Sequence, residues 1–247
     1  VKSRTDATNL VALVRNPDKA KDLGIEARTF DYNKPEGLVD ALAGIDTLLL
    51  ISGSEVGQRE VQHKNVVGAA QKAGVKRIVY TSLLRADTSG LSLAPEHLAT
   101  EKAIKSSGIL FTILRNGWYT ENYTVSVPGA LKAGAFIGSA GTGKIASAAR
   151  NDYAEAAAVV LTEPGHEGKT YELAGDEAYT LTDLAATLSQ LAHREIPYQN
   201  MKETDYARTL QEIGLPEGMA KAFAGYDTGA SKGDLFSDDK TLSKLIK

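Results

Sequence analysis

Through the first half of the chain, short apolar runs alternate with amphipathic stretches. Asn9 to Val14 reads as a buried strand stopped by Asn16 and Pro17, and Asp18 to Leu23 suits a helical turn or two. Ala27 to Phe30 is a second strand, ended by Asp31 and Tyr32. Pro35 to Ala43 predicts a helix, with proline near the first turn where a missing N–H costs little. Asp46 to Ile51 is a third strand, with Ser52, Gly53 and Ser54 directly behind it. Glu60 to Ala73 is a long helix closed by Gly74. Lys76 to Tyr80 is a fourth strand, followed by Thr81 and Ser82. His97 to Ser107 is a helix closed by Gly108, and Leu110 to Leu114 is a fifth strand that runs into Arg115, Asn116, Gly117, Trp118 and Tyr119.

Strand and helix alternating at this spacing predict a parallel sheet of βαβ units. The strands are near-continuous apolar runs, as expected when helices cover both faces. In such sheets ligands bind outside the carboxyl ends of the strands. That rule selects Arg15, Asp31, Ser52 to Ser54, Thr81, Ser82 and Asn116 to Tyr119. After Tyr119 the pattern changes. Phe136-Ile137 and Lys144 to Ser147 predict a short strand pair around a Gly-rich turn. Asp152 to Leu161 is an Ala-rich, buried helix, and Thr170 to Leu173 is a strand. Thr182 to Ala192 is an amphipathic helix with Thr180 or Thr182 as its N-cap. From Gly225 onward the composition reads as loop with a late helical turn.

The chain has 247 residues, enough for one large domain or one domain with a small lobe. Its 31 acids and 28 bases leave a net charge of -3, which argues against an electrostatic nucleic-acid binder. Apolar runs such as Leu48 to Ile51 are far too short to span a bilayer. With no cysteine, disulfides, thiolate metal sites and a Cys nucleophile are excluded, and the four histidines stand far apart.

Arg15 stands where a dinucleotide fold meets the adenosine ribose. With no acid beside it, it suits the 2′-phosphate of NADP, or else it is an exposed turn residue. The G-x-G-x-x-G fingerprint belongs about 20 residues ahead of Arg15. Val1 to Thr8 is too short and holds no glycine, so the first strand and its Gly-rich loop are missing and upstream residues are expected. Gly138 to Lys144 matches a phosphate-loop spacing, but Ile145 replaces the Ser or Thr and no helix pattern begins there, so a hairpin turn is the expectation. His97 and Glu101 lie four apart on one helix face, as metal ligands, a proton donor or a surface pair. His63, His166 and His193 read as surface residues. No Tyr-x-x-x-Lys pair occurs near residues 90–105, and no G-x-S-x-G elbow occurs.

Val11 to Pro17, Leu49 to Gln58, His97 to Glu101 and Ser107 to Tyr119 together resemble the NmrA-like group of atypical short-chain dehydrogenase/reductases. The likeness continues through Glu167 to Gly175, and the run from Ile51 to Gln58 narrows it to a quinone-reductase branch. The resemblance implies an α/β fold: a Rossmann-type doubly wound parallel sheet with a small C-terminal α/β lobe. Residues 1–123 and 147–173 would form the first, and residues 124–146 and 174–247 the second. NADPH would lie between them, with Arg15 on the 2′-phosphate and Asp31 and Tyr32 near the adenosine. Ser52, Gly53, Ser54 and Thr81 would run along the cofactor, and Asn116, Gly117, Trp118, Tyr119 and Asn122 would surround the nicotinamide. His97 stands where many relatives carry a catalytic Lys, so Ser82 and His97 are the candidate catalytic residues. Trp118 and Tyr119 could stack a flat quinone or simply pack the core. The implied activity is two-electron reduction of a small-molecule quinone by direct hydride transfer. It would need no flavin, metal, nucleic acid or membrane, in a cytoplasmic monomer or homodimer. Two alternatives stay open: a non-catalytic NADP-binding regulator, and a reductase of dyes or azo compounds.

Overall fold

The apolar runs around Leu49, Val79 and Ile113 lie side by side in one sheet. The computed structural model describes residues 1–247. Its strands are β1 (Val11–Val14), β2 (Glu26–Thr29), β3 (Thr47–Leu50), β4 (Arg77–Leu83), β5 (Leu110–Asn116), β6 (Phe136–Gly138), β7 (Lys169–Leu173) and β8 (Tyr198–Asn200). The helices are α1 (Leu38–Ala41), α2 (Arg59–Ala73), α3 (Ala94–Ser106), α4 (Glu121–Thr124), α5 (Val127–Ala133), α6 (Arg150–Thr162), α7 (Leu181–Ala192), α8 (Glu203–Glu212), α9 (Glu217–Ser231) and α10 (Thr241–Leu245). Every ladder is parallel, and the order of the main sheet is β3-β4-β5-β7.

Helices cover both faces of that sheet. On one side Leu50, Ile78, Tyr80 and Ile113 pack with Val66 and Ala70 of α2 and Ile104 of α3. On the other, Val79, Leu114 and Leu173 pack with Tyr153, Ala156 and Val160 of α6 and Leu242 of α10. Each fully buried aliphatic or aromatic side chain here contributes about 1.5–3 kcal/mol. A third core joins Leu83, Leu91 and Trp118 to Phe136, Ile145, Leu181, Leu188, Tyr226 and Ala230. It seats the C-terminal half of the chain against the carboxyl end of the main sheet.

The pair β1-β2 hydrogen-bonds to neither of the other sheets. Val11 to Val14 is therefore half-buried rather than buried as its apolar run predicts: only one of its edges has a ladder partner. Leu13, Phe30 and Tyr32 still pack on the core beneath α2.

Three further expectations change. Arg115 and Asn116 belong to β5 itself, because β7 and β4 both pair with the strand to its last residue. Phe136–Gly138 pairs with Tyr198–Asn200, not with Lys144 to Ser147, whose Ile145 makes a single bridge to Tyr179. Residues after Gly225 continue α9 to Ser231, because Tyr226, Asp227 and Ala230 face the core. Elsewhere local chemistry sets the boundaries. Thr180 caps α7 reciprocally with Asp183, and Gly74 closes α2 in the left-handed region at φ 76°. Gly143 is explained by packing: a Cβ there would lie 2.3 Å from the Ala230 carbonyl oxygen. No helix begins at Lys144, so this turn lacks the helix N-terminus that a phosphate loop requires.

Candidate active site

The carboxyl ends of β1 to β5 bring the sequence-predicted residues to one edge of the fold, but on two faces. Register puts Ser82 beside Arg115 and Leu83 beside Asn116. Tyr80 and Ser82 therefore share the α2/α3 face, whereas Thr81 and Asn116 belong to the α6 face.

Arg15 lies just beyond β1 with 71% of its side chain exposed, held only by Glu55 at 3.2 Å. Asp31 accepts from the Asn33 amide at 3.0 Å, and the Tyr32 hydroxyl donates to the Ile51 carbonyl at 3.2 Å. Burial pushes the Tyr32 phenol up to about 12, so it stays neutral. Behind β3 the Ser52 amide donates to Thr81 Oγ1 at 2.9 Å, and Ser54 is exposed.

Gly53 is engaged on both sides. Its N–H donates to His63 Nε2 at 3.0 Å, and its C=O accepts from Arg59 Nε at 2.8 Å. A Cβ at this position would stand 2.9 Å from Gln62 Oε1, the movable end of a side chain. Arg59 in turn pairs with Glu96 at 3.0 Å, and Glu96 accepts from the Gly57 amide at 2.9 Å. His63 is fully buried rather than at the surface, and its Nδ1 lies 2.9 Å from Thr100 Oγ1. Arg59 and Glu96 are not singled out by sequence, and His63 reads there as a surface residue. Their signal was the i, i+4 spacing of Arg59 and His63 at the start of the helix that follows the loop.

His97 and Glu101 are both buried and do not pair with each other. His97 Nδ1 is 2.8 Å from the Tyr80 hydroxyl, and burial pushes the imidazole down to about 3. Ser82 donates to Glu101 at 2.6 Å. Glu101 also takes two 2.8 Å hydrogen bonds from Arg115, from Nε and Nη2. Arg115 also reaches Glu172 of β7 at 2.8 Å and Asp87 at 3.0 Å, and Glu101 first, then Glu172 and Asp87, hold its guanidinium well above the usual range.

On the opposite face, Gly117 donates to the Leu173 carbonyl at 2.7 Å. The Trp118 indole packs edge-on against Tyr226 at 5.4 Å between centroids. Arg150 lies 4.3 Å over the Tyr119 ring and also bonds Asn122 at 3.2 Å, so one face of Tyr119 is covered. Asn116 Oδ1 and Trp118 Nε1 are buried without any hydrogen-bond partner. A buried acceptor and a buried donor left open are each costly, and a ligand bearing both complements would relieve them. A primary carboxamide, the polar group of nicotinamide, carries both.

Residues 2–164 match a family described as NAD(P)H-binding. The chain belongs to that family. This NAD(P)H-binding chain is 59% identical over 243 residues to quinone oxidoreductase 2 of Escherichia coli strain K12, spanning 97% of this chain and 85% of the relative. A crystal structure of an NADPH-dependent quinone oxidoreductase from Escherichia coli, complexed with NADPH, superposes with a TM-score of 0.97 at 58% identity. The match covers 99% of this chain and 88% of that one. The Citrobacter sp. triphenylmethane reductase complexed with NADP(H) is similarly close in shape, with a TM-score of 0.96 at 40% identity, covering 99% of this chain and 88% of the other. Within the NAD(P)H-binding family the architecture is thus α/β with Rossmann-like parallel strands. No helix is long and apolar enough to cross a membrane.

Proposed function

We propose that this chain reduces quinones by two electrons at the expense of NADPH. The reading is carried by its 59% identity to quinone oxidoreductase 2 across 97% of its length. It is supported by the open donor and acceptor at the end of β5. NADPH, when bound, supplies the hydride; the quinone gains that hydride and one proton, and leaves as hydroquinone.

The protein's part is binding and orientation. Arg15, largely free in solvent, would take the 2′-phosphate, with Asp31 and Tyr32 beside the adenosine. Ser52, Gly53, Ser54 and Thr81 would shape the wall along the cofactor. Asn116 and Trp118 would hold the carboxamide, with Gly117, Tyr119 and Asn122 completing that end. Leucines 83 and 91 and Tyr226 surround Trp118 and would keep the quinone side apolar. Neither Ser82 nor His97 has a proton to spare near neutrality. The serine hydroxyl is committed to Glu101 and the His97 ring is neutral, so in this reading they support the site and water provides the proton.

The residues named above all lie on one chain, so monomer and homodimer both suit the reading. We place the activity in the cytoplasm, a compartment that a chain without cysteine suits. The test is NADPH oxidation followed by absorbance on adding 1,4-benzoquinone. Stoichiometric loss of NADPH is expected. NADPH binding without oxidation by any simple quinone would overturn the enzyme reading in favour of a nucleotide sensor.

A further inference from the structure

Behind β3 the backbone turns away from the sheet, and its shape is fixed by side chains of two helices. His63 and Arg59 of α2 hold the N–H and C=O of Gly53, and Glu96 of α3 holds both Arg59 and the Gly57 amide. Of these contacts, that of His63 has a fixed protonation state. An amide N–H can only donate, so Nε2 must be an unprotonated acceptor. The neutral ring then carries its hydrogen on Nδ1 and donates to Thr100, whose hydroxyl donates on to the Glu96 carbonyl at 2.9 Å. Every polar atom of the ring is used, and one tautomer alone satisfies the chain of bonds. A second proton, on Nε2, would set two donors against each other in a fully buried place.

We infer that His63 is a positioning residue for the cofactor: its neutral imidazole holds the Gly53 amide and so keeps residues 52–57 in the conformation that binds NADPH. The inference rests on the proposed function, which runs the cofactor along this segment. Two side chains one turn apart on α2 reach back to the N–H and the C=O of this one residue. The groups facing the ring are consistent with a neutral state. They are Arg59 on α2, Tyr32 behind β2, Tyr80 on β4, and Glu96, His97 and Thr100 on α3. Glu96 is already paired with Arg59. Burial first, and then the Arg59 charge, push His63 down to about 4.

Two variants separate the acceptor from the bulk of the side chain. His63→Phe keeps a ring but removes the acceptor, and His63→Gln keeps an acceptor oxygen within reach of Gly53. NADPH affinity is measured for each by calorimetry from about pH 4.5 to 8, with Gly53 amide exchange followed by NMR without cofactor. The expected result is an approximately tenfold weaker Kd for His63→Phe, from a buried amide left unpaired. The loss should fall on KM rather than on kcat, and the Gly53 amide should exchange faster. His63→Gln should restore most of both. Native protein and His63→Gln should follow parallel profiles above about pH 5, because the native ring stays neutral until about 4. Native affinity and native Gly53 protection in His63→Phe would overturn the inference. If His63→Phe does not fold, His63→Asn, whose shorter amide cannot reach Gly53, decides: native NADPH affinity and native Gly53 protection in that variant overturn the inference. Absence of NADPH binding by the native protein would overturn the proposed function instead, and Gly53 exchange against pH would still test the contact.

Discussion

Glu101 and Arg115 are joined by two 2.8 Å hydrogen bonds, and both side chains are buried. The pair ties α3 to β5 just below the edge where the candidate site lies. Its two-point geometry leaves the guanidinium one further nitrogen, which reaches β7 through Glu172. Three elements of the sheet edge are thereby locked by one side chain.

Removing one partner of such a pair leaves the other charged and desolvated. Glu101→Ala should cost about 3 kcal/mol in urea unfolding, at the low end for buried pairs because Glu172 and Asp87 still face Arg115. Glu101→Gln, which retains one acceptor, should cost clearly less. Equal losses for the two variants would mean that charge alone, not packing or a retained acceptor, is what Glu101 contributes.

The choice between NADPH and NADH should depend on Arg15. Its side chain is exposed, and its single partner is Glu55. Arg15→Ala should weaken NADPH by about tenfold, about 1.4 kcal/mol, and NADH hardly at all. Glu55→Gln, which frees Arg15, should tighten NADPH modestly. Paired titrations of the two nucleotides check this, and equal losses for both would remove Arg15 from its place.

Both central histidines should make the fold acid-sensitive. Unfolded imidazoles take up protons near 6.5, whereas His63 and His97 in the folded chain resist until about 4 and about 3. Between those values the unfolded state binds more protons, so stability rises with pH and is lost on acidification from about 7 toward 4. Each residue contributes a slope of up to about 1.4 kcal/mol per pH unit in that window. Urea unfolding at several pH values, compared with His97→Phe, should show the slope reduced by one histidine's share. An unchanged slope would count against a neutral, buried His97.

Trp118 is the only tryptophan, so its emission reports one place. NADPH binding next to its unpaired Nε1 should quench it, and Asn116→Ala should weaken the binding that quenching measures by about tenfold through the lost acceptor. Quenching that is absent while calorimetry shows binding would move the nicotinamide away from Trp118.

Much of this could be read along the chain. The apolar runs of β3, β4 and β5 and the glycine that closes α2 were plain, because period and punctuation are local properties. The edge residues followed from the strand ends. The fate of His63, His97 and Glu101 could not be read, because each lies on a helix of low amphipathic contrast and is buried by partners distant in sequence. The pairing of β6 with β8 spans sixty residues of chain, and nothing near Phe136 signals it. Helix α8 went unread, its two buried residues, Ala207 and Leu210, being too few to stand out among charges.

The place of β7 has a consequence for dissecting the molecule. The chain builds β3, β4 and β5, leaves to form β6, and returns to lay Lys169–Leu173 against β5 before departing again. No cut ahead of Lys169 therefore yields the main sheet intact. A protein ending anywhere before Lys169 would present Leu110–Asn116 as a bare, apolar edge that invites pairing with another chain. During synthesis the same edge stays open until that later strand arrives, which makes this interval the one in which the nascent chain is most exposed to aggregation.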